Sequence, residues 1–178
     1  EVYGRGDPAM YVRWLLRALG QDPDREGLRE TPRRYVRMMR ELCTPEPFAF
    51  TTFANEGMNE LIVQAPIGFH SLCEHHAVPF HGTAAVCYIP NGRIVGLSKL
   101  ARTVRYCAAG LQNQERITKA GADMLETNLA PLGVGVVLRA RHMCMEMRGA
   151  RAIGDEFQGG ALHGAFLWEG LNDFGMAG

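Results

Sequence analysis

No run of this chain stays apolar for the ~20 residues that a helix needs to cross a bilayer, so no membrane span is expected. Charge of one sign is not in surplus either: 19 Lys and Arg face 19 Asp and Glu. A surface that grips nucleic acid or an anionic membrane carries a basic excess. Neither partner is therefore expected, although a local basic pocket stays compatible with neutrality. Cysteine is scarce and odd in number, five in 178 residues, which argues against a disulfide frame. Cys43, Cys87 and Cys107 sit inside apolar patterns and read as buried thiols in a reducing compartment. The first residues, Glu1-Val2-Tyr3-Gly4-Arg5, lack the apolar segment of a secretory signal. Internal repeats and low-complexity tracts are also missing. The expectation left by these absences is a soluble cytoplasmic protein.

What is present is an ordinary globular balance, 47% apolar and 21% charged. A chain of this length buries about 70% of its unfolded surface without help from cross-links. The expected organisation is a helical arm over residues 1–48 and a body over 49–178. In the arm, Asp7 and Pro8 suit a helix start and Gly20 a stop. Val12, Leu15, Leu16 and Leu19 would form the apolar stripe of that helix. Thr31-Pro32 repeats the cap-plus-proline start for a second helix, with Tyr35, Val36, Met39 and Leu42 on its apolar side. Arg33, Arg34, Arg37 and Arg40 largely occupy the other side and, from the residues alone, read as a solvated face. Pro45 and Pro47 mark the boundary.

In the body, residues 61–67 and 83–89 are strand-like, and Pro90-Asn91-Gly92-Arg93 reads as a hairpin turn into 94–97. Ser98 reads as the cap of a helix running to about Leu111, buried through Leu100, Val104, Ala108 and Leu111. Lys99, Arg102 and Arg105 recur along one flank near its start. They are either a solvated flank or, with the free amides of the helix start, a grip for phosphate. A further helix carries Ile117, Met124, Leu125 and Leu129 and stops at Pro131 and Gly133. Residues 133–147 then alternate like a long strand, one face running from Val134 through His142, Cys144 and Arg148. The methionines of the opposite face read as core or as a subunit contact. The Gly-rich tail after Arg151 promises only short strand pieces. This order implies an α+β body: an antiparallel four-stranded sheet with two helices on one face, its open edges favouring oligomers.

The densest chemistry lies in two remote segments, Cys73-Glu74-His75-His76 and His142-Met143-Cys144. Cys73 and His76 are three apart, so one helical turn or a tight loop points both the same way. Thiolate and imidazole are the ligands zinc takes in a tetrahedral array. With His75 that makes five candidates for at most four positions. A surplus of histidines suits a catalytic zinc with free acid/base groups beside it; a closed four-ligand structural site, or plain packing, is the alternative.

These two segments belong to a longer series: Asp22-Pro23-Asp24-Arg25-Glu26-Gly27-Leu28, Glu30-Thr31-Pro32-Arg33-Arg34, Cys73-Glu74-His75-His76 and Tyr88-Ile89-Pro90-Asn91-Gly92-Arg93. The series continues through Gly96-Leu97-Ser98-Lys99-Leu100-Ala101-Arg102, Gln112 to Arg116, and His142-Met143-Cys144 to Arg148-Gly149. In these motifs, in this order, the chain resembles the zinc-dependent GTP cyclohydrolase I family, and the resemblance carries implications. It implies a T-fold, edge-to-edge assembly into a homodecamer with shared active sites, and conversion of GTP to 7,8-dihydroneopterin triphosphate and formate. It also implies Zn2+ held by Cys73, His76 and Cys144, with His75 and His142 as the free acid/base histidines. Ser98 joins the catalytic set near the ribose, and Glu115 with Gln114 holds the guanine edge. Lys99, Arg102 and Arg148 face the triphosphate, as do Arg34 and Arg37, which displaces the solvated-face reading of those two. The tail Ala152-Ile153-Gly154-Asp155-Glu156-Phe157-Gln158-Gly159-Gly160-Ala161 departs from the basic and Thr/Ser-rich stretch common in the family. Two alternatives stand beside this: a T-fold enzyme for another purine or pterin, and a catalytically silent binding module with structural zinc.

Overall fold

The computed structural model describes residues 6–167. The ends of both expected domains, 1–5 and 168–178, lie outside the described residues. Two compact units divide after Thr44.

The first unit is a helical pair, α1 (Pro8–Ala18) and α2 (Thr31–Cys43). Asp7 caps α1 as expected, its Oδ1 accepting from the Ala9 amide at 2.9 Å. The expected stripe is only partly covered. Val12 and Leu16 are half-buried while Leu15 and Leu19 are exposed, and Ala9 is the buried residue of α1. Thr31 is not the cap of α2. Glu30 takes that place with helical backbone, because the chain is already turning: Leu28 N donates to Arg25 O and Thr31 N to Leu28 O. Pro32 still falls in the first turn, where no amide hydrogen is needed.

The second unit is an α+β body. Its main sheet has five strands in the order β5-β2-β3-β6-β7: β2 (Ile62–Cys73), β3 (Pro79–Ile89), β5 (Leu111–Gln112), β6 (Gly133–His142) and β7 (Phe157–Gly164). Four of these are antiparallel neighbours; β5 adds a two-residue parallel bridge to the end of β2. Helices α3 (Leu97–Ala108) and α4 (Gln114–Leu129) pack against the sheet. The core lies between them. It takes Phe69 from β2, Phe80, Val86 and Tyr88 from β3, and Val134, Val136 and Leu138 from β6. Leu100 and Val104 of α3 and Ile117 and Leu125 of α4 face these. Burying side chains of that size stabilises the fold by roughly 1.5–3 kcal/mol each. At Gly82 the β3–β6 pair approaches so closely that a Cβ would sit 2.0 Å from the Arg139 carbonyl oxygen.

Four local expectations change. The Pro90–Arg93 turn does not close a hairpin: β4 (Arg93–Val95) pairs with β1 (Thr52–Ala54) in a separate small sheet. Both edges of β3 at that end are already taken, by Ile62 against Tyr88 and by Gly133 against Ile89, so β4 finds no edge there. Ser98 is not a cap; Gly96 is, and α3 ends at Ala108, short of Leu111. The long alternating strand stops at His142 and turns into a short helix, α5 (Met143–Glu146). Arg141 reaches Glu146 through two hydrogen bonds, 2.6 and 2.9 Å, a contact that an extended chain of five residues, spanning ~17 Å, would not allow. The tail forms a full edge strand, β7, paired with β6 from Gly133–Gly164 to Ala140–Phe157. Among the described residues, no helix is long and apolar enough to cross a membrane.

Candidate active site

Cys73 ends β2, and the chain doubles back at once. His76 N and Ala77 N both donate to Cys73 O, at 3.3 and 2.7 Å, and Cys73 N donates to Val78 O at 2.9 Å. Ala77 completes this tight turn in the left-handed region, at φ 53°. The turn is fastened sideways to the start of α4. Glu74 N donates to Gln112 O at 2.9 Å, and the Glu74 carboxylate accepts from Asn113 Nδ2 and Arg116 Nη2, each at 2.8 Å. The Arg116 and Asn113 hydrogen bonds hold that carboxyl below its ordinary range.

α5 delivers the second segment. Cys144 Sγ lies 3.9 Å from Cys73 Sγ, well beyond the ~2.05 Å of a disulfide, and both thiols are free. The donor atoms of Cys73, His76 and Cys144 all lie within 4.8 Å of one another, the two cysteines buried and His76 exposed. Burial, and then the Cys73 neighbour, push the Cys144 thiol up from its ordinary value. A divalent cation reverses that balance, since it binds the thiolate. Two thiols and an imidazole are a soft donor set that suits zinc or a similar ion, and three protein ligands leave a coordination position open.

The expected strand face is replaced by this helix turn, yet His142 and Cys144 still converge on one place. His142 is half-buried, stacked on Phe80 with ring centroids 4.6 Å apart and planes 2° from parallel. Phe157 meets it edge-on at 5.7 Å, and Gln114 Oε1 stands 3.2 Å from its Nε2. Desolvation draws its pKa down, with Glu115 pulling the other way. His75 is exposed, its Nδ1 3.5 Å from Cys73 Sγ.

A cavity of about 400 Å³ joins these groups. Cys73, His75, His76, Gln114, Glu115, His142 and Cys144 all line it, so seven of the expected residues come together. Arg148 stands beside them, its Nη1 3.0 Å from His76 Nε2. Ser98, Lys99 and Arg102 lie on α3 and do not line it; Arg102 instead borders a smaller hollow of about 180 Å³ with Glu46, Phe48, Arg105 and Tyr106. Arg34 and Arg37 are exposed on α2 of the first unit. Residues not anticipated are Phe80 and Phe157 around His142, Asn113 and Arg116 on Glu74, and Gly159 in the wall. Phe157 and Gly159 fall two apart in the tail, a strand spacing obscured there by its glycines.

A family model described as GTP cyclohydrolase I matches residues 9–170. GTP cyclohydrolase 1 of Aquifex aeolicus (strain VF5) is 49% identical over 157 residues, covering 88% of this chain and 85% of that protein. GTP cyclohydrolase 1 of Clostridioides difficile (strain 630) is 47% identical over 161 residues, covering 87% and 85%. That of Bacillus subtilis (strain 168) is 47% identical over 161 residues, covering 87% and 84%. With its four antiparallel strands backed by two helices as the T-fold, the chain belongs to the GTP cyclohydrolase I family.

Proposed function

We propose that this chain converts GTP to 7,8-dihydroneopterin triphosphate and formate, with Zn2+ held by Cys73, His76 and Cys144. The observation that carries the reading is the meeting of that soft donor trio with two further histidines and a carboxylate on one cavity. Bound there, zinc supplies a water of near-neutral pKa for hydrolysis.

The chain's own groups do the rest. Glu115 sits in the first turn of α4 and lines the cavity. A carboxylate accepts from the guanine N1–H and the exocyclic amino group together, a pairing adenine does not offer. Opening the imidazole ring at C8 requires protons at its ring nitrogens, and His75 and His142 are the groups that exchange them. Lys99, Arg102, Arg148, Arg34 and Arg37 offset the triphosphate, and Ser98 meets the ribose. Gathered on one triphosphate, these cations suit a strong anion site in a chain of zero net charge.

Because Ser98, Lys99 and Arg102 do not line the cavity, we read the site as completed by a neighbouring subunit, in a homodecamer with shared active sites. Five free cysteines favour the cytoplasm. Incubating zinc-loaded protein with GTP, oxidising the product and measuring pterin fluorescence and formate tests the reading. Neither product forming would end it.

A further inference from the structure

We infer that Gln114 is a positioning residue for His142, fixing the ring nitrogen that carries the proton, rather than a contact for the base. Gln114 is only 6% exposed. Its Nε2 donates to Leu138 O at 2.9 Å and to Phe157 O at 3.1 Å, and its Oε1 faces His142 Nε2 at 3.2 Å. A side-chain amide has two N–H donors, and here both are spent on carbonyl oxygens, which only accept. Turning the amide over would set its oxygen against two carbonyl oxygens, both only acceptors, and leave at least one buried donor without a partner. The orientation is therefore forced, and Oε1 faces the imidazole. Because Oε1 is only an acceptor, His142 Nε2 carries the hydrogen.

The neighbours show why such a device is needed. Phe80 and Phe157 fix the plane of the imidazole but not which edge points where. A 180° turn about the Cβ–Cγ bond keeps the stacking and exchanges nitrogen for carbon. The amide oxygen tells the two apart. It leaves Nδ1 of neutral His142 as the bare nitrogen, the one free to take a proton. Gln114 also ties the first turn of α4 to Leu138 on β6 and Phe157 on β7, so the wall built by β7 and the state of His142 are set together.

This rests on the acid/base role proposed for His142, so the test reads the ring directly as well as turnover. Zinc-loaded protein labelled with 15N-histidine is examined by solid-state NMR at pH 9, the His142 signals being identified by their loss in His142→Gln. Wild type is expected to show a protonated Nε2 and a bare Nδ1. Gln114→Met, checked for equal zinc content, is expected to show both tautomers, with kcat lowered roughly 10- to 100-fold and KM for GTP within about twofold. Gln114→Glu keeps an oxygen toward the ring and is expected to retain the Nε2–H signal. A bare Nε2 in wild type overturns the inference whether or not the variants fold. So does a Gln114→Met enzyme with unchanged tautomer and kcat but a raised KM. If wild type makes no pterin, the proposed function fails while the ring signals still decide the role of Gln114.

Discussion

Phe80 couples the core to the site. It is fully buried, lies parallel to His142 at 4.6 Å, and meets Phe69 edge-on at 6.1 Å. Replacing it by leucine keeps most of the volume but removes both ring contacts. The change of shape costs about 1–1.5 kcal/mol and each ring pair ~0.5–1.5 more, so the loss is about 2–4.5 kcal/mol. For a chain of this length each kcal/mol moves the melting temperature by roughly 2–4 °C, which predicts a fall of about 4–18 °C at fixed protein and zinc concentration. His142 also loses the surface that holds its plane, so kcat should drop about 10-fold or more. Leu125→Ala supplies the control. Leu125 is equally buried and does not line the cavity, so it should lose a similar stability, ~2–5 kcal/mol, with kcat at 25 °C unchanged. Differential scanning fluorimetry and pterin fluorescence at saturating GTP measure the two quantities. If the two variants lose stability equally and lose kcat equally, the claim that Phe80 orients His142 is wrong.

Other expectations are as concrete. Glu146→Gln loosens the Arg141 contact that turns the chain into α5, so zinc should be surrendered to a chelator roughly 10- to 100-fold more readily; unchanged retention would remove that pair from the site's support. Burial pushes Cys87 and Cys107 up to about 11 from 9.0, whereas Cys43, expected to be buried with them, is exposed, so in native protein at pH 8 an alkylating reagent should modify Cys43 and spare the other two. The same two shifts contribute stability that is complete below pH 9 and is lost as pH rises toward about 11, which urea melts across that window would register. Gly82→Ala should fail to fold or melt far below wild type, since its Cβ would strike the Arg139 carbonyl; a normal melt would show that the β3–β6 pair yields.

Much of this was legible in the residues, and the limits have physical causes. Asp7-Pro8 marks a helix start because capping is a local property, and β2 and β3 announce themselves as runs of strand-forming residues, while alternation marks the stretch that holds β6. The three-residue spacing of Cys73 and His76 made the metal turn readable. Which edge a strand finds is not local: β4 turns to β1 because β2 and β6 already occupy β3. Alternation through Met143, Met145 and Met147 concealed α5, since the Arg141–Glu146 contact that makes a helix there is set by geometry and leaves no period in the sequence. Glycines in the tail weakened the strand signal of β7, which is nevertheless held by its ladder to β6. The surroundings of His142 came from four separate elements, β3, α4, β6 and β7, and no spacing rule joins them.

X-ray absorption at the zinc edge of the purified protein tests the metal reading most directly. Two sulfur ligands at ~2.3 Å, one imidazole nitrogen at ~2.0–2.1 Å and one exchangeable oxygen are predicted, with Cys144→Ser removing one sulfur and turnover together. A shell filled by four protein ligands, or full pterin formation by metal-free protein, would contradict it.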